Sequence, residues 1–421
     1  MKGNLLFILI LVISIVSCSG GSSDDSSKND NSNTGSSWSE VNWKTADNGA
    51  YANFQHNGLA PSCSNRSNTN PAFRFFSRTG TVNKLVVYFQ GGGACWHNNN
   101  CQVVPNYYYA ELQAYETADG MNSIAEGKAS LQKLGGILDF SNAGNPFRDW
   151  GFVYIPYCTG DLFWGAKDAT YDNGTIRHRG HVNFRVVLQW MKNHFSSPET
   201  IFVTGISAGS YGAILNFPYI HDAYSSAAFL VLGDGGAGVV NEDFMEQGLP
   251  NWDVQLPTND KLPNTNFTGF DGRNPTELSI NDIYSIIAGY YGRVTIAQYT
   301  DAWDETQVFF YNVMKYINTP NPFLWGRPEN EIQCEWNSKM RSNLNSIDAS
   351  SDAGNDNFNY FIAPGTSHTA LFSPDLYTKT SNGTRLLDWI GTMIDNTAAL
   401  ENVDCHATNS CDRPQKITCS P

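Results

Sequence analysis

The stretch Glu199–Gly212, ETIFVTGISAGSYG, limits what this chain can fold into more than any other. Thr200–Thr204 reads as a buried strand, because Ile201, Phe202 and Val203 are apolar and suited to extended backbone. Gly205-Ile206-Ser207-Ala208-Gly209 follows, a G-x-S-x-G pentapeptide. Five such residues also recur by chance in Gly/Ser turns. Here a strand precedes them and the helix-like AGSYGAILNFPYI follows, which is the setting this motif needs. In that setting the serine sits on a strained turn, and the glycines let strand and helix pass close together. Its Oγ then stands exposed at the top of a sheet. A helix starting near Ala208 turns its first N–H groups toward the serine, where they can stabilise negative charge. Ser207 is therefore the candidate nucleophile.

The same kind of apolar run recurs along the chain. Strands are expected at Lys84–Gln90, Phe152–Pro156, Phe229–Leu232, Val294–Tyr299 and Asn359–Ala363. Helices are expected at Val182–Phe195, Ala208–Ile220, Glu305–Ile317 and Thr384–Ile394. Strands alternating with helices imply an α/β fold, a mainly parallel central sheet with helices on both faces. Gly248–Pro275, rich in Pro, Asn and Asp, reads as a long surface excursion that could shape a cleft. With 421 residues, 41% of them hydrophobic, a large core is affordable. The 11 Trp, 20 Tyr and 24 Phe exceed what that core needs, so some rings are expected to line a cleft.

The first residues read as an export signal. Lys2 precedes an apolar run, Leu5–Val16, too short to cross a bilayer. The run ends in Ile15-Val16-Ser17-Cys18, which resembles a bacterial lipobox, so Cys18 is the expected lipidation site and membrane anchor. An ordinary secretory signal is the alternative. Residues 18–38 are mostly Ser, Gly, Asp and Asn and read as a flexible tether, and no further boundary is expected before residue 421. The acidic Ser22-Ser23-Asp24-Asp25 resembles the export signal of some surface-displayed lipoproteins. Of nine cysteines, Cys18 aside, the even remainder suggests disulfides formed outside the cytoplasm. Cys95 with Cys101 and Cys411 with Cys419 are the expected local pairs. No spacing argues for zinc. The net charge of −14 weighs against nucleic acid as a partner, which wants a basic face.

A serine nucleophile needs a base, an acid to orient that base, and an oxyanion site. In this motif's setting the order is Ser, acid, His. Of His221, His368 and His406, only His368 follows a strand, in the turn Gly365-Thr366-Ser367-His368. Carboxyl ends of parallel strands are where ligands and reactive groups gather. Asp301, Asp304 and Glu305 follow the strand Val294–Tyr299; Asp304 is favoured as the acid, with Asp301 next. Asp234 is a third candidate, read in preference as a carboxylate that satisfies loop amides. Ala208 supplies one oxyanion donor, and the loop Gln90-Gly91-Gly92-Gly93 after the strand KLVVYFQ supplies the other. A phosphate-cradling role for that loop is discounted, because neither G-K-[ST] nor G-x-G-x-x-G is present.

Taken together, FQGGGACW (89–96), IPYCTGD (155–161), TGISAGSYG (204–212), the D-x-x-Q piece Asp304-Glu305-Thr306-Gln307 and GTSH (365–368) resemble the pectin acetylesterase family, which includes the animal esterase Notum. The resemblance runs from about Phe54 to the end, with the motifs in the family's order. It implies an α/β-hydrolase-like fold over residues 39–421 and an extracellular serine esterase that needs no cofactor or metal. Carried over, Ser207 matches the nucleophile, Asp304 the acid and His368 the base; Gly92, Gly93 and Ala208 match the oxyanion donors. The D-x-x-Q match favours Asp304 over Asp301. The family elbow often reads S-A-G-G, where this chain has Ser210, and the family's tryptophan near the oxyanion loop is displaced here, in Ala94-Cys95-Trp96. The first substrate expected is an acetylated polysaccharide such as pectin. The alternatives are a lipid- or protein-linked acyl ester, a peptide bond, or a glycan bound without catalysis on the same scaffold.

Overall fold

The computed structural model describes residues 36–64, 72–101, 107–128, 134–319, 325, 329–352, 356–396, 399–408, 411 and 419. Its strands in chain order are β1 (Ser39–Val41), β2 (Phe75–Arg78), β3 (Lys84–Phe89), β4 (Gly151–Ile155), β5 (Lys167–Tyr171), β6 (Gly174–His178), β7 (Thr200–Ile206), β8 (Ala228–Asp234), β9 (Thr295–Asp301), β10 (Phe358–Ala363), β11 (Thr380–Ser381), β12 (Thr384–Arg385) and β13 (Val403–Asp404). Two pairs, β5 with β6 and β11 with β12, are separate ribbons. The other nine form one sheet in the order β1-β2-β4-β3-β7-β8-β9-β10-β13. Pairing is parallel from β4 through β13 and antiparallel at β1–β2 and β2–β4. The six strands expected from sequence are β3, β4, β7, β8, β9 and β10.

Each central strand feeds two apolar layers, because successive side chains point to opposite faces. Leu85, Val87 and Phe89 join Ile201 and Val203 on one face. Val86 and Tyr88 join Phe202, Tyr154 and Leu232 on the other. Helices cover both faces. The first layer packs against α1 (Gly180–His194), α2 (Ala208–Ala223), α3 (Glu242–Trp252), α4 (Ile280–Tyr290), α5 (Glu305–Tyr316) and α6 (Asn330–Asp352). The second packs against α7 (Leu386–Asp395), through Leu386, Trp389, Ile390 and Met393, and against the short helix Ala118–Ala125. Helix α2 is apolar nearly all round, as a fully buried helix must be.

Two expectations are corrected. Gly248–Pro275 is a surface excursion only in part: Gly248–Trp252 closes α3, and Trp252, Leu256, Leu262, Phe267 and Phe270 are buried, because an irregular path still supplies apolar side chains to the core. Cys411 pairs with Cys405, not Cys419. Cys419 reaches back to Cys334 on α6, and Cys63–Cys158 and Cys95–Cys101 complete the set. Nearness along the chain favoured Cys411–Cys419, but β13 brings Cys405 beside Cys411. The expectation that some rings line a cleft holds: Trp96, Tyr211, Phe244 and Phe310 line the cavity beside Ser207, while most other rings are core.

The expected signal peptide, the expected lipidation site Cys18 and the expected tether up to residue 35 lie outside the described residues. Trp38, at the end of the stretch read as tether, is buried against Phe140, Phe152 and Tyr154. Among the described residues no helix is long and apolar enough to cross a membrane.

Candidate active site

Strand register brings the carboxyl ends of five strands level. Ile206 at the end of β7 pairs with Asp234 of β8, and Asp301 of β9 pairs with Ala363 of β10. The loops that follow β3, β7, β8, β9 and β10 therefore open on one rim of the sheet, and the candidate residues stand on them.

Ser207 occupies φ +54°, ψ −122°, between β7 and α2. An L-residue there stores on the order of 1–3 kcal/mol of backbone strain, which the surrounding structure must hold. The flanking glycines show why it can. A Cβ on Gly209 would press on the carbonyl oxygen of Phe89, and one on Gly205 would press on that of Gly209. Strand β7, α2 and β3 thus meet at contact distance only without those side chains. Ala208 is the first residue of α2, so its N–H has no partner within the helix. The Ser207 N–H is spent on the Asp234 carbonyl at 2.7 Å.

The glycine loop lies alongside. Tyr109 donates to the Gly92 carbonyl at 2.8 Å and Ala94 donates to the Tyr107 carbonyl at 3.1 Å. These two bonds straddle Gly93 and leave its own N–H off that ladder. Gly93 lines the cavity together with Ser207, Ala208 and His368. Gly92 does not line it; its Cα packs beneath the rings of Tyr157 and Tyr109. Of the three expected oxyanion residues, the structure brings Gly93 and Ala208 to the cavity and sets Gly92 one step behind.

His368 and the loop that carries it are gripped from three sides. Its Nδ1 lies 2.8 Å from Asp304 Oδ2 and 3.0 Å from Oδ1, so Nδ1–H donates and Nε2 keeps its lone pair. Nε2 is buried and has no partner among the described residues. Asp234 Oδ2 accepts the N–H groups of Ala370 at 2.8 Å and Leu371 at 2.7 Å. Asp301 Oδ2 accepts the Ser367 N–H at 2.8 Å and the Lys379 ammonium at 2.7 Å. Gly235 completes the seat at φ +72°; a Cβ there would lie 3.1 Å from His368 Cε1.

Asp304 is fixed more firmly than its sequence context announced. It caps α5, accepting from the Thr306 and Gln307 N–H groups at 3.0 and 2.9 Å. The Gln307 side chain donates to Asp304 Oδ2 at 2.8 Å and to Thr300 Oγ1 at 2.9 Å, and accepts from Ala237 N–H at 3.0 Å. The D-x-x-Q spacing is therefore a cap plus a side-chain clamp, three residues apart on one helical turn. Asp301 is instead held by Lys379, Ser367 and the Tyr299 hydroxyl, and touches the imidazole nowhere.

Electrostatics follow from this placement. Burial pulls the His368 pKa down, but the Asp304 charge and hydrogen bond outweigh it, with Asp234 and Asp301 adding, and leave it above its usual value. Burial raises Asp234 to about 7 against the pull of the Leu371 and Ala370 amides. Burial raises Asp301 to about 6, with Lys379 and Tyr299 acting in the opposite direction.

The cavity is walled by Trp96, Leu162, Val239, Val240, Phe244, Phe310 and Met314 beside the polar residues above. Sequence reasoning flagged only Trp96 of these. Ser210, the departure in the elbow, is not in this wall. It is buried behind Ser207, with its Oγ 3.3 Å from Gln298 Oε1. Among the described residues there are two clusters of possible metal ligands, Cys95, Cys101, His178 and Asp404, Cys405, His406, Cys411, but the cysteines of both are spent in disulfides.

A mainly parallel sheet with its loops converging at the carboxyl ends defines the α/β-hydrolase-like class. Residues 63–249 match the family model described as pectinacetylesterase. Palmitoleoyl-protein carboxylesterase NOTUM of Schmidtea mediterranea is 30% identical over 199 residues, 43% of this chain and 36% of that protein. The human protein of the same name is 24% identical over 148 residues, 35% of this chain and 27% of its own length. The chain thus spans about a third of the length of the curated relatives it matches. The crystal structure of the Wnt deacylase Notum from Drosophila superposes with a TM-score of 0.54 at 18% identity, over 82% of this chain and 92% of that one, which speaks to the fold. The chain is thus similar to pectinacetylesterases over residues 63–249 and to the Notum carboxylesterases in part of its length, and it shares the fold of Notum. The stretch matched by the family model contains Ser207, Ala208 and the glycine loop; Asp304 and His368 lie beyond it.

Proposed function

We propose that this protein is an exported serine carboxylesterase that removes short acyl groups, O-acetyl foremost, from a polysaccharide such as pectin. One observation carries the reading: Ser207 on its strained turn, the free Nε2 of an Asp304-bound His368 and the N–H groups of Gly93 and Ala208 share one cavity. In the mechanism, His368 Nε2 takes the Ser207 proton as Oγ attacks the ester carbonyl. The Gly93 and Ala208 amides receive the oxyanion. The alcohol leaves with a proton from the imidazolium, and water cleaves acyl-Ser207 by the same route. Asp304 holds the tautomer and offsets the imidazolium charge.

Acyl size is argued from the cavity. Its volume of about 50 Å³ has room for an acetyl group. The second reading, a lipid- or protein-linked acyl ester, is favoured by the apolar wall and by the palmitoleoyl-protein carboxylesterases among the relatives. The four disulfides fit an exported protein, and an anchor at Cys18 would hold it at a bacterial surface. The test is hydrolysis of p-nitrophenyl acetate, octanoate and decanoate by wild type and Ser207→Ala, followed by acetylated pectin and xylan. A serine-dependent acetyl preference supports the first reading. A long-chain preference supports the second. Equal background from both proteins would leave a surface glycan-binding protein.

A further inference from the structure

The wall of the cavity is uneven in stiffness. Phe310 is only partly buried, and Met314 is an unbranched side chain that adapts its shape. Trp96 is different. It is fully buried and meets Phe244 edge-on, with ring centroids 5.1 Å apart. Its backbone is held from several directions. Trp96 N–H donates to Asn100 Oδ1 at 3.0 Å, and its carbonyl accepts from Asn251 Nδ2 at 2.9 Å. The neighbouring Cys95 donates to the Gly160 carbonyl at 3.0 Å and accepts from Trp252 Nε1 at 2.9 Å. The Cys95–Cys101 disulfide closes the loop that carries it. Behind the ring, α3 leaves no slack: a Cβ on Gly248 would lie 3.0 Å from Trp96 Cβ.

From this we infer that Trp96, stapled by Cys95–Cys101 and backed by α3, is the residue that sets the acyl-length limit of the site. The inference rests on the esterase reading above. Phe310 and Met314 can give way to a longer chain, whereas the Trp96 backbone is held at both its N–H and its carbonyl and its ring is packed on Phe244. The disulfide then has a chemical consequence beyond stability. It fixes a wall of the acyl pocket, so loosening it should widen the range of acyl groups accepted.

The experiment compares kcat/KM for p-nitrophenyl octanoate and p-nitrophenyl acetate in wild type, Trp96→Ala and the Cys95→Ser/Cys101→Ser pair, with thermal melts confirming folding. The octanoate-to-acetate ratio should rise by about tenfold or more in Trp96→Ala, since a pocket discriminates by about that factor per methylene or more. It should rise less, in the same direction, in the cysteine pair. If Trp96→Ala does not fold, Trp96→Leu takes its place with the same expected sign. An unchanged ratio in folded variants that still cleave both esters overturns the role of Trp96. A shift in Trp96→Ala without one in the cysteine pair overturns the staple. Wild type that cleaves neither ester through Ser207 removes the esterase reading itself, a result distinct from either.

Discussion

The Ser207 N–H donates to the carbonyl of Asp234 at 2.7 Å, while the Asp234 carboxylate holds the amides of Ala370 and Leu371. One residue at the end of β8 therefore ties the candidate nucleophile to the loop that carries the candidate base. Asp234→Ala should lower kcat by about 10–100-fold through misplacement of His368, and cost on the order of 1–3 kcal/mol for the unpaired amides. Asp234→Asn keeps an acceptor oxygen and should retain most activity. Steady-state kinetics and melts of both variants check this; equal damage from the two would show that charge, not the acceptor, matters there.

Ser207→Ala should abolish turnover and leave the melting temperature within a few degrees. Asp304→Asn should lower kcat by about 10⁴-fold, because the His368 tautomer is no longer set. Asp301→Asn should cost far less, about 10–100-fold, since Asp301 holds Ser367 and Lys379 rather than the ring. The reverse ranking of the two aspartates would move the acid to Asp301.

The pH profile follows from the raised pKa of His368. The base must be neutral, so kcat/KM should fall as pH drops, with its acid limb above the ordinary 6.5. Asp304 is the charge that lifts it, so Asp304→Asn should move the limb downward in what activity remains. Asp234 and Asp301 titrate nearby, at about 7 and about 6, so the observed value belongs to the group as a whole. Asp234→Asn and Asp301→Asn profiles would apportion it.

One buried carboxyl, Glu116, contributes stability that should decline as pH rises. Burial lifts Glu116 from 4.5 to about 8, with the Gln113 amide, the Tyr154 hydroxyl and Arg74 only partly offsetting it. In the unfolded chain the carboxyl loses its proton near 4.5, while the fold keeps it up to about 8. The contribution is fully present below 4.5, fades as pH rises and is lost above about 8. In melts from pH 4 to 9, Glu116→Gln, which mimics the protonated form, should gain on wild type as pH rises from 5 to 8. A difference between the two proteins that stays constant over that range would contradict it.

The central strands were legible because parallel strands buried on both faces are nearly continuous apolar runs. Ser207 was legible because steric demand writes itself as glycine at Gly205 and Gly209. Other parts left weaker traces. Strand β2 has only four residues and pairs antiparallel with both β1 and β4. The β5–β6 ribbon turns at Asp172-Asn173-Gly174, where Asn-Gly was a readable hairpin signal. Helix α4 opens with the capping box Ser279–Asp282, also readable. The grip of Asp234 and Asp301 on the His368 loop was not, because it joins residues far apart in sequence through backbone amides that any residue supplies. Gly92 and Gly93 differ only in which way the loop turns, which composition does not encode.

Both outer strands of the large sheet are short: β1 has three residues and β13 two. An edge strand is the place where a foreign chain adds itself, by pairing with unspent N–H and C=O groups. Here such groups are few among the described residues, and Cys405, just past β13, is locked to Cys411. Copies crowded side by side would meet helices and loops rather than an open row of amides, so a sheet this wide carries little of the aggregation hazard its size would suggest.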